Sequence, residues 1–552
     1  MKTGAHTNGT KSHVRSRLRA VLSACLATVL LCAIGGFFFI RESGPQQEPP
    51  VATEAVTADG QQASSEDQSQ PRETRSDEDI ARDIELGYVH DELVLSFEPG
   101  TSADSINKTL ASYDFAATKD VSDQDLDNGF VKVALVDGAT VEDSVATLKA
   151  SGLAAQPNYL YEIAEGDLPA EAEVGALPNI EPNAAVTIND PDRGNQWALD
   201  SLDAYKAWGI TKAGETAEGT ARANRVSVAV IDTGCTIGHI DLKDNILASY
   251  NAKTNQTGAA AVADTNSHGT HVAGIVSART NNGVGVAGVS YNAGLVIINA
   301  TNGGTDADRH SFASTTLAQA YTWLFRQSAV DSSKTNAEYY NVRVINMSLG
   351  GKHSANFVDD DILTTKIKQA RNGIWVDSNR NETHHDSILT VTAAGNAGTD
   401  APVPFVDYPG DYESCLTVIN LEQTYGWTTT NNVVGRHADS NYNVDNTRIK
   451  NISAPGTKIR STLNSAGSYG FKNGTSMAAP YVSGIASLFF TENPDLTADQ
   501  VVDLIYATAT DIDDPGWDRE TGYGEIDAYH ALQIVSAELG GSENIEYKNR
   551  QG

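Results

Sequence analysis

Three short segments of the 552-residue chain carry a carboxylate, an imidazole and a hydroxyl in contexts suited to proton transfer and nucleophilic attack. The first, Val228-Ala229-Val230-Ile231-Asp232-Thr233-Gly234, ends an apolar run with an acid. A carboxylate closing a buried strand is unfavourable unless paired, which suits an Asp that orients a histidine, although Asp-Thr-Gly also occurs in turns. The second, Ser267-His268-Gly269-Thr270-His271-Val272-Ala273-Gly274, starts a helix with small residues. Two histidines three apart could ligate a metal from one helical face, but no matching carboxylate or cysteine accompanies them. His268 therefore reads as a general base and His271 as a packed structural histidine. The third, Asn473-Gly474-Thr475-Ser476-Met477-Ala478-Ala479-Pro480, precedes the apolar helix 481–488. A serine in a first turn is ordinarily a cap. Here the helix N-terminus also offers a backbone N–H to a developing oxyanion, and the small neighbours let a peptide approach.

These residues need a scaffold that brings distant segments together. Beyond Trp197 the chain alternates apolar runs (226–232, 295–300, 342–348, 388–396, 415–421) with helical segments. That pattern predicts an α/β fold, a mainly parallel sheet with helices on both faces, over residues 191–539. Each reactive segment lies where a strand ends or a helix starts, the edge at which open α/β sheets place their sites. Ahead of it, residues 86–163 give strands at 93–97, 129–136 and 154–163 and helices at 102–113 and 140–151, a small α+β block with an antiparallel, ferredoxin-like sheet. Residues 164–190 form an Ala, Glu and Pro rich linker that a protease could reach, and 540–552 a polar tail.

The N-terminus is of another kind. Five basic residues and no acid precede the charge-free run 20–40, and no small-residue cleavage site follows Ile40. This predicts an export signal retained as a membrane anchor, with a cleaved signal peptide as the alternative, so that everything after Arg41 faces outward. Residues 41–85 lack aromatics and are rich in Gln, Glu, Asp, Ser and Pro, the composition of a disordered linker. With 39 basic against 71 acidic residues the net charge is -32, which disfavours nucleic acid as a partner. Of four cysteines, Cys25 and Cys32 lie in the apolar run, leaving Cys235 and Cys415 either to pair or to stand as buried thiols.

Taken together, the three motifs in the order Asp, His, Ser resemble the subtilase family of serine endopeptidases over roughly 197–535. The resemblance implies that Ser476 attacks the scissile carbonyl, His268 relays its proton and Asp232 fixes the imidazole tautomer. Within Ala393-Ala394-Gly395-Asn396 it makes Asn396 the side-chain oxyanion donor. It makes Ser348, Leu349 and Gly350 the segment that pairs with an extended polypeptide substrate, with Gly303 and Gly304 on the opposite side. Asp407, where the family often has glycine, lies in the segment that lines the main side-chain pocket; a carboxylate there would favour Lys or Arg, and the residue equally suits a turn. No cofactor is required for catalysis. Gln196, Asp241 and Asn282, with carbonyls of 281–286, resemble ligands of a structural calcium ion. The 86–163 block falls where the family carries an inhibitory propeptide, which implies self-cleavage between about Tyr161 and Asn189. Residues 375–387 read as an extra polar loop.

Overall fold

The computed structural model describes residues 77–113, 115–135, 138–164, 186–216, 219–302, 311–354, 361–376, 381–398, 405–423, 434–443 and 449–540. The run 20–40, the linker up to residue 76, Gly303 and Gly304, 165–185 and the tail beyond 540 lie outside them. Among the described residues no helix is long and apolar enough to cross a membrane.

The apolar runs become parallel strands. Their order across the sheet is Lys450–Pro455, Cys415–Gln423, Leu389–Ala393, Val342–Met347, Ser227–Asp232, Gly294–Asn299 and Ile246–Asn251. Short antiparallel strands Val434–Arg436 and Gln256–Thr257 complete nine. Side chains alternate across a strand, and with both faces covered each face needs its own core. Val228, Val230, Leu295 and Ile297 enter one cluster, with the helices His268–Ser277 and Thr475–Glu492. Ala229, Ile231, Val296 and Ile298 enter the other, with the helices Ser314–Phe325 and Asp361–Asn372. From Ser227–Asp232 the chain crosses to the outer strand Ile246–Asn251, comes back to Gly294–Asn299 beside the first strand, and then passes to Val342–Met347 on its other side. The carboxyl ends of these two neighbours, at Asp232 and Met347, therefore flank the point where strand order reverses, the natural place for a binding crevice.

The N-terminal block is antiparallel as the sequence predicts. Tyr88–Ser96 lies between Phe130–Ala134 and Ala154–Ile163, and the helices Ala103–Ala111 and Val141–Ala150 bury Ile106, Leu110, Val141, Val145 and Leu148. Two elements correct the sequence reading. The expected linker ends early, because Asp77–Glu85 is a helix. A short helix, Asp123–Asn128, is started by a capping box between Ser122 and Asp125. Residues 375–387 are likewise not all loop: Ile374–Val376 and Glu382–His384 form a hairpin.

The block docks by supplying acceptors that the other domain lacks. First-turn amides of a helix have no internal partner. Asn158 Oδ1 accepts Thr315 N–H at 3.3 Å and Gln156 Oε1 accepts Ile362 N–H at 3.3 Å, so two buried side chains of one strand serve the starts of two helices. Cys235 and Cys415 are free and buried in different clusters, so they do not pair; burial pushes the Cys415 thiol up to about 12 and raises that of Cys235 as well.

Candidate active site

Asp232 is the last residue of its strand and is 1% exposed; His268, at 0%, opens its helix. Asp232 Oδ1 accepts from His268 Nδ1 at 2.7 Å and from Thr233 N–H at 2.7 Å. A buried carboxylate is thereby paired, and the imidazole Nδ1 must carry its proton, which leaves Nε2 as the basic nitrogen. The helix must approach this strand very closely. A Cβ on Gly269 would lie 2.2 Å from Gly234 O, so only glycine fits behind His268.

One acid that the motif reading passed over holds the geometry. Asp264 accepts from Thr233 Oγ1 at 3.0 Å, Asn266 N–H at 3.0 Å, Ser267 N–H at 2.9 Å, and Thr270 N–H and Oγ1 at 2.9 and 2.5 Å. It caps the helix of His268 and, through Thr233, ties it to the strand of Asp232. The available signal was its place four residues before His268, since acids favour helix starts. His271 is structural as expected: its Nε2 donates to Ile459 O and Gly470 O, and burial lowers its pKa to about 3.

Ser476, 0% exposed, is the second residue of the helix Thr475–Glu492. Its cap, Gly474, has φ 131°, a conformation that excludes ordinary side chains. Ser476 N–H donates to the Ala164 carbonyl at 3.2 Å, and Asn396 Nδ2 donates to the same oxygen at 2.5 Å. Asn396 is oriented by Thr475, whose N–H and Oγ1 bond its Oδ1 at 2.9 and 3.1 Å. Ser476 Oγ donates to Ser348 O at 2.9 Å.

The chain leading to Ala164 is held as an added strand. Ile163 and Glu162 pair antiparallel with Leu349 and Gly350, in the segment read from the sequence as pairing with substrate. The opposite side is taken by Ser311–Ala313, which pairs with Leu160, Tyr161 and Glu162. That role was expected of Gly303 and Gly304, which lie outside the described residues. Asp407 sits in the strand Phe405–Tyr408, opposite Lys352.

Residues 223–524, more than half of the chain, match the Subtilase family. The chain belongs to the subtilase family. This subtilase is 32% identical over 288 residues to subtilisin amylosacchariticus of Bacillus subtilis subsp. amylosacchariticus, a match covering 52% of this chain and 61% of that relative. The subtilase thus spans less than two thirds of the length of the subtilisins it matches first. It is 28% identical to the thermophilic serine proteinase of Bacillus sp. (strain AK1), over 81% of this chain and 88% of that protein. Its fold resembles that of fervidolysin from Fervidobacterium pennivorans, with a TM-score of 0.58 at 20% identity over 81% of this chain and 61% of the other.

The residues read as calcium ligands also come together. Asp241, fully buried, accepts from Asn282 Nδ2 at 2.7 Å and Val286 N–H at 3.0 Å, while Gln196 Oε1 accepts Ala287 N–H at 2.8 Å. Asp190, not expected from the sequence, accepts from Asn281 and Asn282 N–H. Burial pushes the Asp241 carboxyl up to about 7, and the charge of Asp190 adds to the rise. These oxygens accept amide N–H groups, and among the described residues no three His, Cys, Asp or Glu side chains gather as a metal site.

Proposed function

We propose that the chain is the precursor of a serine endopeptidase that cuts itself after Ala164. One observation carries this reading: the Ala164 carbonyl accepts both Ser476 N–H and Asn396 Nδ2, while the residues before it are paired into the cleft as a strand. An extended chain with one carbonyl between two donors is a peptide bond presented for attack.

The steps follow from the groups in place. Ser476 Oγ turns from Ser348 O, gives its proton to His268 Nε2 and attacks the Ala164 carbonyl carbon. The imidazolium is balanced by Asp232. The tetrahedral oxyanion is held by Ser476 N–H and Asn396 Nδ2, and its collapse breaks the Ala164–Glu165 bond as His268 returns the proton to the leaving amine. Water then releases the acyl group by the same route. The block 77–164 remains as an inhibitor, because its strand fills both sides of the cleft and its side chains serve two helix starts. Extended polypeptides are the substrates once it leaves. The charge-free run 20–40 supports export, and calcium at Gln196, Asp190, Asp241 and Asn282 would neutralise buried carboxylates and brace the loop 281–286.

Mass spectrometry of the expressed chain tests this. A new N-terminus at Glu165 in the parent, with Ser476→Ala left at full length, is the expected result. Processing of Ser476→Ala at the same bond refutes self-cleavage.

A further inference from the structure

The helix that carries Ser476 contains Pro480. Proline has no N–H and its ring crowds the carbonyl four residues back, so the carbonyl of Ser476 loses its helical donor. Another donor takes that place. Ser348 Oγ donates to Ser476 O at 2.8 Å, and Ser476 Oγ donates to Ser348 O at 2.9 Å, so two fully buried serines hold each other by side chain and backbone. The Ser348 hydroxyl is itself aimed: Asn346 Nδ2 donates to it at 3.0 Å, and Asn346 Oδ1 accepts Ser483 Oγ, from the same helix, at 2.8 Å.

We propose that Ser348 is a positioning residue for the nucleophile, its hydroxyl replacing the N–H that Pro480 lacks and so registering the Ser476 peptide against the strand that pairs with substrate. The inference rests on Ser476 being the nucleophile. Ser348 is followed directly by Leu349 and Gly350, whose backbones pair with Ile163 and Glu162. One short segment thus holds substrate by its main chain and the nucleophile by its side chain. A shift of Ser476 relative to that segment misplaces both its Oγ and its oxyanion N–H, and reaction rates fall steeply with such errors. Pro480 keeps the carbonyl of Ser476 out of the helical ladder and available to Ser348.

A double-mutant cycle tests this, because an alanine at 480 restores a donor to the same carbonyl. Self-processing of the full chain is a single intramolecular turnover, and kcat and KM on an extended peptide follow after maturation. Ser348→Ala is expected to slow processing and kcat by about tenfold or more with KM changed less than about twofold, the signature of a nucleophile misplaced for the transition state while substrate pairing persists. Adding Pro480→Ala to Ser348→Ala is expected to recover most of that loss. Ser348→Cys, a weaker donor of similar shape, should fall between parent and Ser348→Ala; it carries the same comparison should the alanine variant not fold. Parental rates for Ser348→Ala, or a double variant no faster than the single one at matched melting temperature, overturn the inference. If instead the parent does not process, or Ser476→Ala does, the underlying assignment of the nucleophile fails.

Discussion

Asn396 donates its side-chain amide to the carbonyl oxygen of Ala164 at 2.5 Å, and the orientation is fixed by Thr475, the residue before Ser476. The proposed nucleophile and oxyanion donor are therefore set by neighbouring residues of one helix start. Removing the donor leaves the strand pairing intact but takes one of two hydrogen bonds from the Ala164 oxygen, and that bond is worth most as negative charge develops there. Asn396→Ala should thus lower the rate of self-processing and kcat by ~100-fold to ~1,000-fold with little change in KM. Steady-state kinetics showing only a few-fold drop in kcat would remove Asn396 from the oxyanion site.

In the proposed self-cleavage the residue at the scissile carbonyl is alanine. Ala164 borders a cavity of about 520 Å³ whose wall includes Ala393, Ala394 and Gly395. That space leaves room for a side chain larger than a methyl, so Ala164→Phe should process at the parental rate or faster. Competition between peptides ending in Ala, Phe and Arg at this position checks it. A preference for Arg that disappears in Asp407→Gly would favour the charged-pocket reading of Asp407 instead.

The parallel sheet was legible because strands buried on both faces must be apolar throughout, as Val228 to Ile231 are. Asp232, His268 and Ser476 stand out in the sequence because each sets a reactive group beside such runs, and folding puts them at a strand end and two helix starts. Other features depend on contacts remote in sequence. Nothing in the linker pattern singles out Ala164 among residues 161–189; its place is set when Glu162 and Ile163 pair with Gly350 and Leu349. Asp190 and Asp264 belong to none of the sequence motifs, and folding gathers amide donors around them. The helix Asp77–Glu85 is strongly acidic and reads as linker by composition, yet Asp83 is buried within it.

Burial raises the Asp241 carboxyl to about 7, far above its unfolded value of about 3.9. A raised carboxyl binds its proton more tightly in the folded state, so without a cation the folded state loses stability as pH rises from about 4 to 7. Calcium replaces that proton. In the Ser476→Ala chain, which cannot digest itself, added calcium should raise the melting temperature more at pH 8 than at pH 5, and a chelator should reverse the gain. In Asp241→Asn the calcium response should vanish. An equal response in parent and variant would show that any bound calcium lies elsewhere.

Lys366 links the two blocks. It is 7% exposed and lines a cavity of about 370 Å³ together with Phe97, Asn128 and Gln156 of the N-terminal block. Burial lowers its pKa to about 8, while Asp127 works to raise it, and the Trp375 ring, 4.3 Å from its ammonium, also favours the charged form. A lysine depressed in the docked state destabilises docking while it is charged. Docking therefore strengthens as pH rises from about 8 toward 10.5 and is independent of this group below 8, with a limiting slope of about tenfold per pH unit. Release of the cleaved block, followed by gel filtration, should slow between pH 8 and 10. Lys366→Met should release more slowly at pH 8 and lose the pH dependence. A variant with the parental slope would place the origin of any pH effect in other groups of the interface.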